Sequence, residues 1–469
     1  MKEKLAKNSL IILIILISSI TLFYFFNANK GYWWDEAVYL GLAKNLYEGK
    51  GYFINFNQET FRPPLFPFII YLLWKFFGVS ELLVRLILPI FAILSVIILY
   101  IFVKKMYDKE KAIIAALILA TSHMFIFDSL KILPESLFIF LSTLSLYFFY
   151  LAIELNKKKY FLFAGITMAL SFLDRYPGLI LVLFYLLYPL FSRKKTEWFK
   201  DRMYWLGIIL FFVLLVPWFW MNQINFKSPV GSLFVEAGTV TDKWYFGEWY
   251  YYFIHWIEAF GLFGIFAIPG IIFLVDKHKD FRSKFILLIA AMSLLFFSLI
   301  PRKELRYLLH YFAMYIILLS VGISEFIKWM KLRKVILSIV IIFSLLNFMA
   351  GIQMIIFDMN GGFSLKDAGL YLKDIAPENT RIMSQNMPVL YYTTGKQVIY
   401  FPENETEFVN YTVKNNVSFV VIESREPTYP EYVWITNGGK KPSKVFENFT
   451  LEKTFEENNI TYVWVYKVR

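Results

Sequence analysis

Eleven stretches of this chain are apolar over enough length to cross a lipid bilayer, and they restrict the fold before any other feature does. They lie at roughly 8–27, 80–103, 112–127, 134–153, 160–173, 177–192, 203–221, 250–275, 284–300, 306–326 and 335–357. A helix needs about 20 residues to traverse the hydrocarbon core. Inside lipid every backbone N–H and C=O must be satisfied internally, which leaves helices and closed barrels. Runs this long read as helices. With 58% of residues hydrophobic and 20% aromatic, the expected fold class is a polytopic α-helical membrane protein. The run 160–173 is short and would extend to Asp174 or thin the bilayer locally. The run 9–26 follows Lys2, Lys4 and Lys7 but lacks a small-residue cleavage site, so it reads as an uncleaved anchor. The run 64–77 is Pro-punctuated and followed by Gly78, which predicts an interfacial or re-entrant helix.

The net charge is +12, and its placement says more than its size. With the N-terminus inside and 64–77 not spanning, Lys and Arg gather in 1–7, 104–111, 154–160, 193–202, 277–284 and 326–334. The loops 28–63, 128–134, 174–177, 222–249 and 301–306 carry fewer of them over a greater length. Counting 64–77 as a span would reverse every later loop. A basic excess confined to short loops marks topology and argues against a nucleic-acid partner. The expectation is a multi-pass protein of the plasma (cell) membrane with a cytoplasmic N-terminus and an extracytoplasmic tail. The N-x-S/T sequons at Asn404, Asn410, Asn416, Asn448 and Asn459 all fall in that tail, although an Asn- and Thr-rich segment also contains sequons by chance.

The expected domains are 1–357, in the membrane, and 358–469, outside it. In the tail, Asp367–Ile375 and Glu405–Lys414 read as helices and Arg381–Met383, Gln397–Phe401 and Val417–Ile422 as strands. A hairpin pairs Thr450–Phe455 with Thr461–Val468, which predicts a small α/β domain with a mostly parallel sheet. It has no Gly-rich phosphate loop. The chain has no Cys and four scattered His, which excludes disulfides, thiolate sites and clustered histidine ligands.

On this topology the polar residues of one face converge. Asp35 and Glu36 lie in the first external loop beside Trp33 and Trp34, and Arg62 ends that loop. Asp128, Lys131 and Glu135 occupy the second loop, Asp174 and Arg175 the third, and Arg302, Lys303, Glu304 and Arg306 the last. Ionisable groups at a membrane surface are usually functional. A carboxylate there can take the proton of a hydroxyl nucleophile, and guanidinium or ammonium groups can hold a departing phosphate. A polyprenyl-phosphate sugar meets both requirements. Simpler roles exist: Asp35 and Glu36 suit the first turn of a helix over 37–48, and Glu135 follows Pro134 at a helix start. Asp174 and Arg175 could pair with each other, and Arg302, Lys303 and Arg306 could be snorkelling anchors. The external stretch 222–249, with Gly231, Gly238 and Gly247, reads as a cover or an ordinary long loop. A transporter or flippase of lipid-linked sugars is the rival class, and it should carry charges or Gly/Pro breaks at mid-span. These spans are nearly charge-free.

Gly31-Tyr32-Trp33-Trp34-Asp35-Glu36-Ala37, Arg62-Pro63-Pro64-Leu65-Phe66-Pro67, Leu133-Pro134-Glu135 and Arg306-Tyr307-Leu308-Leu309 together resemble the GT-C membrane glycosyltransferases. The resemblance covers residues 8 to about 320 and is most similar to the branch of protein O-mannosyltransferases and lipid A aminoarabinose transferases. It implies an inverting transfer from a polyprenyl (dolichyl or undecaprenyl) phosphate sugar to a lipid, glycan or protein hydroxyl at the extracytoplasmic face. It implies Asp35 as base, Glu36 as the adjacent acid and Glu135 as the second-loop acid. Arg62, Lys131, Arg175, Arg302, Lys303 and Arg306 would face the lipid phosphate. The scheme requires no metal, although Asp35 and Glu135 are a pair that could hold a divalent cation. Many relatives have Pro shortly after the Arg-Tyr-Leu-Leu run, where His310 and Tyr311 stand here.

Overall fold

The computed structural model describes residues 2–28, 31–55, 61–240, 247–359, 363–424, 434–436, 442–457 and 460–468. The helices are, in order, α1 (Lys2–Phe25), α2 (Trp34–Tyr47), α3 (Leu65–Phe77), α4 (Glu81–Met106), α5 (Lys109–Thr121), α6 (His123–Asp128), α7 (Glu135–Ile153), α8 (Tyr160–Asp174), α9 (Leu179–Leu187) and α10 (Arg202–Phe226). They continue with α11 (Gly231–Val240), α12 (Tyr251–Ile254), α13 (Trp256–Phe260), α14 (Ala267–Asp276), α15 (Phe281–Leu299), α16 (Phe312–Met330), α17 (Arg333–Met359), α18 (Ser364–Ile375), α19 (Met387–Thr394) and α20 (Phe408–Lys414). Among the described residues, seven helical stretches are long and apolar enough to cross a membrane by length and composition, and Ser9–Phe25, Leu65–Phe77, Tyr160–Asp174 and Tyr176–Phe191 are shorter apolar helices. The chain divides into two compact units. One holds Met1–Phe26, Phe61–Phe66 and Glu81–Met354, the other Asn27–Thr60, Pro67–Ser80 and Ile355–Arg469.

In the first unit, aspartates start the helices that follow the basic turns. Asp108 accepts from Lys111 N at 2.9 Å, Asp201 from Met203 N at 2.9 Å and Asp280 from Arg282 N at 3.1 Å. Each satisfies an N–H that the helix itself leaves open. Glycines then let helices touch backbone to backbone. A Cβ on Gly165 would lie 2.0 Å from Gly207 O, and one on Gly207 would lie 2.4 Å from Phe161 O, so α8 and α10 meet where neither has a side chain. Between α14 and α16, Gly270 and Gly322 do the same against Leu318 O and Phe266 O. With little hydrophobic drive between helices in lipid, such close approach is a main source of packing. Around them lies an aromatic core, in which Phe149 stacks on Tyr185 at 3.9 Å and Phe285 meets Phe184 and Tyr188 at 4.9 Å each.

Two of the expected spans are interrupted. The run 112–127 turns at Ser122, whose extended backbone (ψ 124°) separates α5 from α6. The run 250–275 is divided into α12, α13, a 3₁₀ turn over Gly261–Phe266 and α14. Gly261 adopts φ +60° with the Asn347 side chain against it, and Asn347 Nδ2 donates to Phe260 O at 3.2 Å, satisfying backbone freed by the break. Hydropathy alone does not register either interruption, because apolar residues continue straight through both.

The second unit carries strands β1 (Arg381–Ser384), β2 (Gln397–Ile399), β3 (Val417–Glu423), β4 (Thr450–Glu457) and β5 (Ile460–Lys467) in the order β2-β1-β3-β5-β4. β1 is parallel to β2 and β3, whereas β5 is antiparallel to β3 and β4. The expected mostly parallel sheet is therefore mixed. Helices α19 and α20 supply the crossovers that parallel pairing needs, while the terminal hairpin folds back on β3. Asn459 lies outside the described residues. Met383, Phe401, Phe408, Val420, Ile422 and Phe446 form the buried centre on one side of the sheet. The first-loop segment belongs to this unit. Asn55 donates to Val398 O at 2.5 Å and accepts from Val398 N at 2.8 Å, so a side chain stands where β2, an edge strand, would have a strand partner. Tyr391 OH donates to Asn45 at 2.9 Å and Lys44 to Tyr392 O at 3.2 Å, joining α2 to α19.

Candidate functional site

Helices α7 and α8 are antiparallel neighbours, so the N-terminus of α7 and the C-terminus of α8 come to one end of the first unit. Glu135 is the first residue of α7 and Arg175 the first after α8. Arg175 Nη2 donates to Glu135 Oε1 in an ion pair whose Glu135 side chain is 1% exposed and Arg175 side chain 11%. Two charges held out of water need such pairing and further hydrogen bonds. The second Glu135 oxygen and both oxygens of buried Asp174 have no hydrogen-bond partner among the described residues. These carboxylates stand in the electrostatic field of Arg175.

Asp128, at the end of α6, completes the acidic part. Burial pushes its carboxyl up to about 7, with the Glu135 charge adding to the rise and Arg306, Lys131 and Arg175 opposing it. An acid titrating near neutrality beside guanidinium groups is suited to taking or giving a proton. Lys131 is buried, with Nζ 4.8 Å from the centre of the Phe127 ring.

The segment after α15 brings the other cations. Arg302 Nε donates to Glu304 Oε1 at 2.6 Å, and Arg306 Nε donates to Glu304 Oε2, so one carboxylate holds both guanidiniums. Glu304 has extended backbone (φ −137°, ψ 132°) and immediately precedes the 3₁₀ turn Leu305–Tyr311, which carries Arg306. Lys303 points elsewhere. Its Nζ donates to Phe297 O at 3.1 Å, Ser298 O at 2.6 Å and Ile300 O, closing the C-terminal end of α15, and burial lowers its pKa. All its donors are engaged by backbone. His310, which follows the Arg-Tyr-Leu-Leu run, lies between the Phe138 and Phe297 rings, with Nδ1 2.9 Å from Tyr307 O.

Arg62 sits beside its neighbour Phe61, with the guanidinium 5.2 Å from the ring centre. Phe61 O accepts from Tyr176 OH at 2.6 Å, one residue beyond Arg175, and Arg62 lies within electrostatic reach of Tyr176. Tyr176 OH also bonds Ser232 Oγ at 2.7 Å, and Asn222 accepts from Ser232 N at 2.8 Å. These bonds fix the start of α11 within the stretch 222–249. Residues 241–246 of that stretch lie outside the described residues.

Asp35 and Glu36 stand on the first turn of α2, in the second unit. Glu36 is fully buried and accepts from Trp33 N at 2.8 Å, capping its own helix. Asp35 is half-exposed, and Trp33 Nε1 donates to Asp358 at 3.1 Å. The structure therefore gives the two adjacent acids different surroundings: Glu36 is buried at the helix cap and Asp35 is half-exposed. Among the described residues no group of three or more His, Asp or Glu has the arrangement of a metal site.

With this geometry in view, the fold has known counterparts. The crystal structure of ArnT from Cupriavidus metallidurans bound to undecaprenyl phosphate superposes with a TM-score of 0.70 at 13% identity, covering 97% of both chains. The apo oligosaccharyltransferase of Archaeoglobus fulgidus gives 0.66 at 14% identity, covering 89% of this chain and 69% of that one. The chain shares the fold of these two proteins. Residues 61–221 match the family described as dolichyl-phosphate-mannose-protein mannosyltransferase. Two uncharacterized proteins of Aquifex aeolicus (strain VF5) are also similar. One is 26% identical over 331 residues, 69% of this chain and 65% of its own length; the other is 28% identical over 179 residues, 37% and 39%. The chain thus spans less than two thirds of the length of either relative.

Proposed function

We propose that this protein transfers a sugar from a polyprenyl-phosphate donor to a hydroxyl acceptor at the extracytoplasmic face of the cell membrane, with inversion at the anomeric carbon. The observation that carries the reading is the assembly of Arg175, Arg306, Arg302 and Lys131 around Glu135, Asp128 and Glu304 at one end of a GT-C bundle. The opposite end holds Lys-rich turns, and the positive-inside rule assigns those to the cytoplasm. That assignment leaves the guanidinium cluster and the tail outside.

In the reaction a carboxylate takes the proton of the acceptor hydroxyl, and the oxygen attacks the anomeric carbon. The bond from that carbon to the phosphate oxygen breaks, and the lipid phosphate leaves with the electron pair. Guanidiniums hold the phosphate as its charge grows. Asp35 is the proposed base, since it is the accessible member of its pair. Asp128 competes for the role because it titrates near neutrality. Lys303 drops out of the chemistry, as its ammonium is engaged by carbonyls at the end of α15, and Glu36 Oε2 caps α2. Incubating the purified protein with radiolabelled polyprenyl-phosphate sugars and lipid, glycan or protein acceptors tests the reading. Transfer that disappears in Asp35→Asn while the protein stays folded supports Asp35 as base. Undiminished turnover in that variant removes it, and donor carried across vesicles without any transfer product favours a flippase.

A further inference from the structure

The end of the first unit remote from Glu135 contains a feature that sugar transfer does not use. A cavity of about 220 Å³ opens between the 3₁₀ turn Tyr188–Phe191, which follows α9, and the start of α15. Ser192, Arg193, Lys279, Asp280, Phe281 and Lys284 line it. Three cations thus face one carboxylate, and that carboxylate is already engaged, since Asp280 caps α15 and lies 3.7 Å from Arg282 Nε. The Arg193 guanidinium is 4.0 Å from the centre of the Phe281 ring, with its Nε 3.8 Å from Glu154. Lys284 Nζ donates to Phe191 O at 3.3 Å. Ring and carbonyl contacts hold these cations in position at the rim. Lys279 is exposed and has no carboxylate partner among the described residues.

The walls leading to the cavity are apolar. Leu183, Leu187, Leu190 and Phe191 are each 43–46% exposed, forming a strip along α9 and its turn that ends at the cationic rim. Inorganic phosphate has no use for such a strip, whereas a lipid carrying a phosphate has use for both parts. Basic pockets between membrane helices at the cytoplasmic side select anionic headgroups in this way. We propose that the cavity between Ser192–Arg193 and Lys279–Lys284 binds the phosphate headgroup of an anionic phospholipid, whose acyl chain lies along the exposed leucines of α9.

Native mass spectrometry of the full chain in detergent, titrated with phosphatidylglycerol or phosphatidylcholine, tests this. Wild-type protein should retain phosphatidylglycerol in preference, and inorganic phosphate should not displace it. The triple variant Arg193→Gln, Lys279→Gln, Lys284→Gln should lower phosphatidylglycerol retention by about tenfold and leave phosphatidylcholine unchanged. Because Arg193 Nε lies 3.8 Å from buried Glu154, the melting temperature of this triple is read beside its lipid retention, and Lys279→Gln alone, at an exposed position, should lower retention in the same direction. A control triple at other basic turns, Lys104→Gln, Lys105→Gln, Lys334→Gln, should retain phosphatidylglycerol as wild type does. Equal loss in both triples, equal retention of the two lipids by wild type, or displacement by inorganic phosphate overturns the proposal.

Discussion

Arg175 and Glu135 tie the end of α8 to the start of α7 through a buried ion pair. Removing one partner leaves a buried charge without its counter-ion, which costs about 3–5 kcal/mol. Arg175→Gln should therefore lower the thermal stability of the purified protein sharply and abolish transfer. Glu135→Gln removes the acid's charge and should destabilise less. Thermal unfolding of both variants against wild type checks the order, and melting at the wild-type temperature in both would show that the pair contributes little.

The two acids of α2 should separate by readout. Glu36→Ala removes a helix cap and should cost about 1 kcal/mol of stability. Asp35→Asn should leave stability near wild type while transfer of labelled sugar falls by at least about a hundredfold. The pair of assays fails the model if Glu36→Ala is the variant that loses activity at full stability.

Asp128 makes stability depend on pH in a stated direction. Its ordinary value is 3.8 and its folded value about 7, so over that window the folded protein keeps a proton that the unfolded chain has released. Stability then falls as pH rises from about 4 to about 7 and changes little beyond either limit. Asp128→Asn should remove this slope, melting above wild type at pH about 8 and with no such advantage at pH about 4. Melting curves across that range measure it, and parallel pH profiles for the two proteins would refute it.

Gly165 has no room for a methyl group. Its Cβ would fall 2.0 Å from Gly207 O, so Gly165→Ala must push α8 away from α10. A loss of about 1–3 kcal/mol is expected from overpacking. Thermal unfolding decides it, and an unchanged melting temperature would mean the helices part without cost.

Asn55 shields the edge strand β2. Asn55→Ala deletes both bonds to Val398, and the Val398 amide should then exchange with deuterium about tenfold faster or more. Unchanged exchange at Val398 would show that neighbouring groups protect it instead.

Much of this was legible in sequence because hydropathy is local and additive. The apolar runs foretold the helical membrane class, and the tail's alternating pattern foretold α18 and the five strands. Local chemistry also placed the site residues near the ends of helices, as with Pro134 before Glu135. The interruptions at Ser122 and Gly261 were not legible, since apolar residues flank both. Nor was the role of Lys303. Its neighbours in sequence are cationic and acidic, but its actual partners are carbonyls at the end of α15.

By itself the sequence determined that the chain folds in a membrane, that charge collects at helix ends, and that a small α/β tail follows. Those outcomes depend on residue type and spacing, which do not change with the path of the chain. Tertiary structure alone decided that Glu135 meets Arg175, that Glu304 holds two arginines, and that Asn55 completes the edge of a strand hundreds of residues away. Such pairings arise from long-range chain contacts, and burial rather than residue type sets the proton affinity of Asp128.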